Sequence, residues 1–190
     1  TILSATSEND FTQWENRIGI TAANQQRKIG TDIGSLVHDH LEKHILFFFF
    51  LCGNNNIHVL AKNMAEVIIS NGLNDFQEIW GTETALYLPE LFAGTTDVMG
   101  IYDGKTSIID FKTSKTMKSK DKILDYRDQL AAYKIAHDSM YRTDIEQGVI
   151  LMVSRDLKFE KFIYSRDEML EGCESFLNRV ANYYETTIVT

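Results

Sequence analysis

The apolar positions of this chain recur at helical spacing in its first third and turn strand-like in the middle, and those periods define the elements. Phe11, Trp14 and Ile18 predict a short helix. A second helix is predicted to open at Thr31 or Asp32, either of which can cap it, and to carry an apolar stripe of Leu36, Val37, Leu41 and Ile45 until Gly53-Asn54-Asn55-Asn56 ends it. A third turns Val59, Leu60, Met64, Val67 and Ile68 inward and stops at Asn71-Gly72. Residues 77–88, 91–102 and 105–113 then read as strands, with Pro89 at the first junction, where a lost backbone donor is tolerated. A helix over 121–139, strands over 148–154 and 158–164, and a closing helix over 167–184 follow. No repeat or low-complexity linker interrupts this order. It predicts an α/β fold, a mixed central sheet flanked by helices, in one domain: a helical region over 1–75, then sheet and helices over 76–190.

The turn between the second and third strands fixes a register. Asp103-Gly104 between two β-rich runs is a hairpin signal. A two-residue loop pairs Tyr102 with Lys105 and sets Asp97 opposite Asp110; a four-residue loop keeps that pairing, and a three-residue loop or a bulge shifts it by one. Opposed side chains in an antiparallel pair lie about 5 Å apart, and like charges there repel. Two facing aspartates therefore call for a cation, and a hard divalent ion such as Mg²⁺ or Mn²⁺ prefers carboxylate oxygens. Alternation puts Lys112 on the face of Asp110 and turns Phe111 away; Ile101, Ile109 and Phe111 are expected on the apolar face, while Ile108 breaks the alternation and points to a strand buried on both sides. The plainer alternative is an ordinary hairpin with a solvated salt bridge, because Asp-x-Lys triplets are common.

Composition narrows the classes. At 190 residues, 44% hydrophobic and 24% charged, the chain suits one soluble globular domain. The N-terminus has no basic stretch of a cleavable signal, and the longest apolar run, Ile45 to Cys52, is eight residues against the roughly 20 of a membrane span. Phe47 to Phe50 accordingly reads as buried helix, or else as an exposed patch for a protein partner. Two cysteines, Cys52 and Cys173, without C-x-x-C spacing, carry no zinc or iron–sulfur signature and fit a reducing cytoplasm. A net charge of −8 argues against a nucleic-acid coat protein, yet Lys112, Lys115, Lys118, Lys120, Lys122 and Arg127 against Asp121 and Asp125 give a local net of +4 beside the aspartates. A basic strip beside an acidic metal site suits phosphodiester chemistry; a solvated lysine-rich loop is the alternative.

His38 sits four residues after Gly34, and Gln129 and Tyr133 share a helix face at i, i+4. His40 and His44 also stand at i, i+4, but Leu41 and Lys43 occupy the places where a zinc hydrolase carries its glutamate. Taken together, Gly34-x-x-x-His38, Gly94-Thr95-x-Asp97, Ile109-Asp110-Phe111-Lys112-Thr113 and Gln129-x-x-x-Tyr133 resemble the RecB-like branch of the PD-(D/E)xK nuclease superfamily. The chain is similar in particular to the phage single-domain exonucleases and the mitochondrial genome maintenance exonucleases. Trp14-x-x-Arg17-Ile18-Gly19, Gly81-Thr82-Glu83 and the opening residues 1–6 extend the likeness, which covers about residues 1–137.

The resemblance implies a restriction-endonuclease-like core with the N-terminal helices over the active site, and metal-dependent hydrolysis of DNA. It makes His38, Asp97 and Asp110 ligands of one or two Mg²⁺ or Mn²⁺ ions, joined by the Phe111 carbonyl, with Lys112 positioning the attacking water. Gln129 and Tyr133 would orient Lys112 or contact DNA, and Thr113, Ser114 and Lys115 would bind substrate. Two departures stand out: Asp110 replaces the glutamate of many members, and the four-cysteine iron–sulfur staple of some relatives is missing, so no such cluster is expected. The expected partner is DNA, single-stranded or with free ends, in replication, recombination, repair or phage DNA metabolism. A bacterial or phage-infected cytoplasm is the expected location, with a processed mitochondrial form left open. A structure-specific endonuclease and a non-cleaving DNA-binding module are the alternatives.

Overall fold

The computed structural model describes residues 2–6, 12–48 and 53–188. Helices α1 (Ile2–Ala5), α2 (Thr12–Ile18), α3 (Ile20–Ile45) and α4 (Asn56–Gly72) precede strands β1 (Phe76–Leu88), β2 (Phe92–Tyr102) and β3 (Lys105–Ser114). Helix α5 (Leu124–Tyr141), strands β4 (Gln147–Ser154) and β5 (Phe159–Tyr164) and helix α6 (Arg166–Ile188) complete the chain. The expected order of elements holds.

The sheet runs β1-β2-β3-β4-β5, antiparallel except between β3 and β4, which α5 joins as a parallel crossover. One face packs Phe111, Val98 and Leu151 against Val37 and Leu41 of α3 and Met64 and Ile68 of α4. The other packs Ile108, Ile150 and Met152 with Leu130 of α5 and Met169 of α6. β3 is thus covered on both faces, as Ile108 suggested. Ile101 belongs elsewhere than expected: it pairs with Thr106 and so shares the face of Ile108, opposite to Ile109 and Phe111.

Asp103 and Gly104 both adopt positive φ, +49° and +75°, the backbone of a two-residue primed turn. Tyr102 consequently pairs with Lys105, and the predicted register runs to Val98–Ile109. There it stops. The first half of β2 continues along β1, and Asp110 to Ser114 continue along β4. The two strands fork where Asp97 and Asp110 meet.

Three helix readings change. α3 starts at Ile20, so Thr31 and Asp32 lie inside it. No proline interrupts the run; Thr31 Oγ1 donates to Arg27 O, and Asp32 pairs with Lys28 one turn back, so both side chains serve the helix instead of capping it. α3 ends at Ile45, and Asn55 caps the next helix by accepting from His58 N at 3.0 Å. Phe47 and Phe48 are therefore not buried helix: they follow the C-cap and are 96% and 66% exposed. Phe49 and Phe50, like Phe11 and Cys52, lie outside the described residues. In α4, Val59 faces outward and the buried stripe is Ala61, Met64, Ala65 and Ile68.

Candidate active site

The fork gathers side chains from both faces of the sheet. Asp97 Oδ2 accepts the Phe111 backbone N–H at 2.6 Å, replacing the strand partner that the fork removes. Its other oxygen, Oδ1, lies 3.3 Å from His38 Nδ1, so the middle of α3 lies across the site. The His38 ring also stands edge-on to Phe111 at 6.1 Å. Four residues earlier in α3, a Cβ on Gly34 would lie 3.4 Å from Thr113 Oγ1, which shows how closely helix and strand approach.

Asp110 is 2% exposed, and its Oδ2 lies 2.5 Å from Lys112 Nζ. On the α5 side, Lys112 Nζ donates to Gln129 Oε1 at 3.0 Å, and Gln129 Nε2 donates to the Tyr133 hydroxyl at 2.9 Å. The i, i+4 pair thus forms a relay that ends on Lys112. The Tyr126 ring, its centroid 4.9 Å from the same ammonium, adds a cation–π contact.

A third carboxylate completes the group. Thr82 pairs with Val98 and Thr84 with Thr96, which places Glu83 beside Asp97 on the neighbouring strand. Its φ of +45° is a rare backbone state for a residue inside a strand. One donor atom each from His38, Glu83 and Asp97 fall within 4.8 Å of one another. The sequence reading noted Glu83 only within a flanking stretch; the strand pairing that brings it to Asp97 leaves no local trace.

Burial pushes the Asp110 carboxyl above its ordinary range, Lys112 opposes the rise and Asp97 adds to it. Burial disfavours the charged forms of His38 and Lys112, yet Asp97 for the first and Asp110 for the second outweigh it and raise both. Glu83 is raised by burial and then by Asp97. Three carboxylates around one imidazole and one ammonium make a site with an unmet demand for positive charge. The donor set, mostly carboxylate oxygen with one imidazole nitrogen, fits a hard divalent cation.

Thr113 and Ser114 are half-buried at the end of β3, and the Ser114 carbonyl accepts from Arg155 N at 3.0 Å. Lys115 is exposed just beyond. The basic strip is thinner than its composition: Lys120 pairs with Glu168, Arg127 with Asp128 and Glu171, and Lys112 with Asp110. Lys115 and Lys122 face solvent, and Lys118 donates to the Tyr126 hydroxyl at 3.1 Å.

No family model matches the sequence, and no curated protein matches it by sequence. Comparison with solved structures does find likeness. A candidate exonuclease from Eubacterium rectale superposes with a TM-score of 0.57 at 13% identity, over 80% of this chain and 66% of that one. The chain shares that protein's fold. A phage-related exonuclease from Haemophilus somnus aligns at 16% identity over 82% of each chain with a TM-score of 0.43. An alkaline exonuclease from Laribacter hongkongensis aligns at 14% identity over 66% of each chain with a TM-score of 0.37. The fold is therefore the mixed α/β one of an exonuclease neighbour. Among the described residues no helix is long and apolar enough to cross a membrane.

Proposed function

We propose that the protein is a metal-dependent nuclease of the RecB-like PD-(D/E)xK type that hydrolyses DNA from free ends. The observation that carries this reading is the fork itself, where Asp97, Asp110 and Lys112 converge with His38 from one face and Gln129 from the other. A salt bridge on a solvated strand would not be buried, nor would it draw a second carboxylate and a histidine to the same point.

His38, Glu83 and Asp97, whose donor atoms lie together, would hold the ion, joined by Asp110 and the Phe111 carbonyl as the family resemblance implies. An Mg²⁺ or Mn²⁺ ion held there would supply Lewis acidity toward the attacking water and the phosphate. The remaining work belongs to the chain. Lys112, steered by Gln129 and Tyr133, donates hydrogen bonds to the attacking water and to the phosphoryl oxygen that gains charge. Asp97, tied to the Phe111 amide, keeps the two strands at a fixed separation so that the donors stay preorganised. Exposed Lys115 and Lys122 attract the backbone.

The test is degradation of end-labelled linear and closed circular single-stranded DNA, with Mg²⁺ or Mn²⁺ and with chelator. Metal-dependent loss of the linear form alone supports the exonuclease, and the label position gives polarity. Cutting of the circle would make it an endonuclease, and no cutting with retained binding a non-catalytic module. A matched RNA strand distinguishes the sugar.

A further inference from the structure

A cavity of about 560 Å³ opens next to Lys112, within the range of small-ligand sites. Its walls come from β2, α5, α6 and the first helix. Six aromatic rings line it among the described residues: Phe92, Tyr126, Tyr133, Phe176, Tyr183 and Tyr184. Gln129 and Tyr133, the relay to Lys112, form part of the same wall, so the cavity begins one side chain away from the reacting centre.

Its chemistry selects an occupant. The one charged lining residue among those described is Asp125, and Arg179 Nη1 donates to it at 2.8 Å. The same guanidinium donates to Leu3 O and to Thr6 Oγ1, fixing α1 as the outer wall. Among the described residues no cation lines the interior, so a phosphate would gain nothing by entering. A flat, neutral group with polar edges gains aromatic faces and the amide of Gln129. Outside, Lys118 and the exposed Lys115 remain for the backbone.

We propose that this cavity receives one unstacked nucleobase of the strand whose phosphate lies at Asp97, Asp110 and Lys112; this rests on the nuclease reading above. Stacking on aromatic rings tolerates any base, which suits a nuclease without sequence preference. A paired base would first have to leave its duplex, which favours single strands and frayed ends.

The experiment uses short single-stranded oligonucleotides held uncleaved by chelator, with 2-aminopurine placed at each position in turn and an abasic residue at the same positions. One position near the cleaved end should show quenching, and its abasic counterpart should bind about 5- to 100-fold more weakly. Tyr183→Ala, outside the catalytic group, should remove the quenching and weaken the intact strand while leaving the abasic strand unchanged; Tyr183→Phe, which keeps the ring, should bind as the wild type does. Equal binding of intact and abasic strands, or quenching at no position, with cleavage of unmodified DNA intact in Mg²⁺, would overturn the base site alone. The abasic comparison needs no variant, so a misfolded Tyr183→Ala does not blunt it. Absence of cleavage on every substrate would remove the nuclease reading and this one with it.

Discussion

Single residues carry the chemistry. Lys112 has three neighbours that locate it, Asp110, Gln129 and Tyr126. Lys112→Ala should lower kcat by about 100-fold or more while Mn²⁺ binding persists, because the lost term is stabilisation of developing charge. Comparable loss of metal binding in calorimetry would make Lys112 structural. Glu83→Gln keeps the shape and removes the charge, and should weaken Mn²⁺ binding about tenfold or more with the melting temperature little changed. Unchanged affinity would place Glu83 outside the metal site. Away from the fork, His137 is 3% exposed, bonded to Thr143 Oγ1 at 2.7 Å, and its pKa is lowered by burial against the opposing charge of Asp138. Below the ordinary histidine pKa of about 6.5 the unfolded chain binds a proton that the native chain refuses, so stability falls as pH drops from about 7 toward the lowered value. The urea midpoint of the wild type should therefore fall more between pH 7.5 and pH 5.5 than that of His137→Gln. An equal fall in both proteins would show that His137 is not the source.

At the scale of elements, local signals were legible and tertiary ones were not. Asp103-Gly104 announced its turn, and because strand pairing counts residue by residue from a turn, the register followed as far as Val98–Ile109, one pair short of Asp97 and Asp110. The fork did not, since it depends on β1 and β4 claiming the far halves of β2 and β3. Nor did Glu83, whose place follows from pairing β1 on β2 and whose backbone lies at positive φ. The start of α3 was misplaced because Thr31 and Asp32 resemble caps, yet the helix before them is stabilised from outside by the Arg27–Glu15 ion pair and by Arg27 over Trp14. His38, Gln129 and Tyr133 stood out only by resemblance to a family; their spacing alone named no partner. Two substitutions probe the frame. Leu41→Ala, at a fully buried contact of α3, should cost about 2–5 kcal/mol by chemical denaturation. Gly100→Ala meets Glu78 O at 2.0 Å from the new Cβ, a backbone clash, and should destabilise by more than the roughly 1 kcal/mol of an ordinary strand substitution. A neutral result at Gly100 would contradict the close approach of β1 and β2.

For the whole molecule, the proposed binding of DNA by a chain of net charge −8 has to be local. With Lys120 and Arg127 held in ion pairs, the basic strip leaves Lys115, Lys118 and Lys122 beside the catalytic Lys112 for phosphates, so binding should show a shallow salt dependence, a slope of roughly −1 to −3 in log K against log salt. A steep slope would reveal a basic surface elsewhere. Phe47 and Phe48 are exposed, the second of the two readings that the apolar run allowed, and they follow the C-terminal end of α3, beyond His38. The most direct test of the central claim is hydrolysis of linear single-stranded DNA in Mg²⁺ or Mn²⁺ by the wild type and by Asp110→Ala. The account predicts cleavage by the wild type that chelator abolishes, and a loss of about 100-fold or more in the variant. Undiminished, metal-dependent cleavage by Asp110→Ala would contradict it.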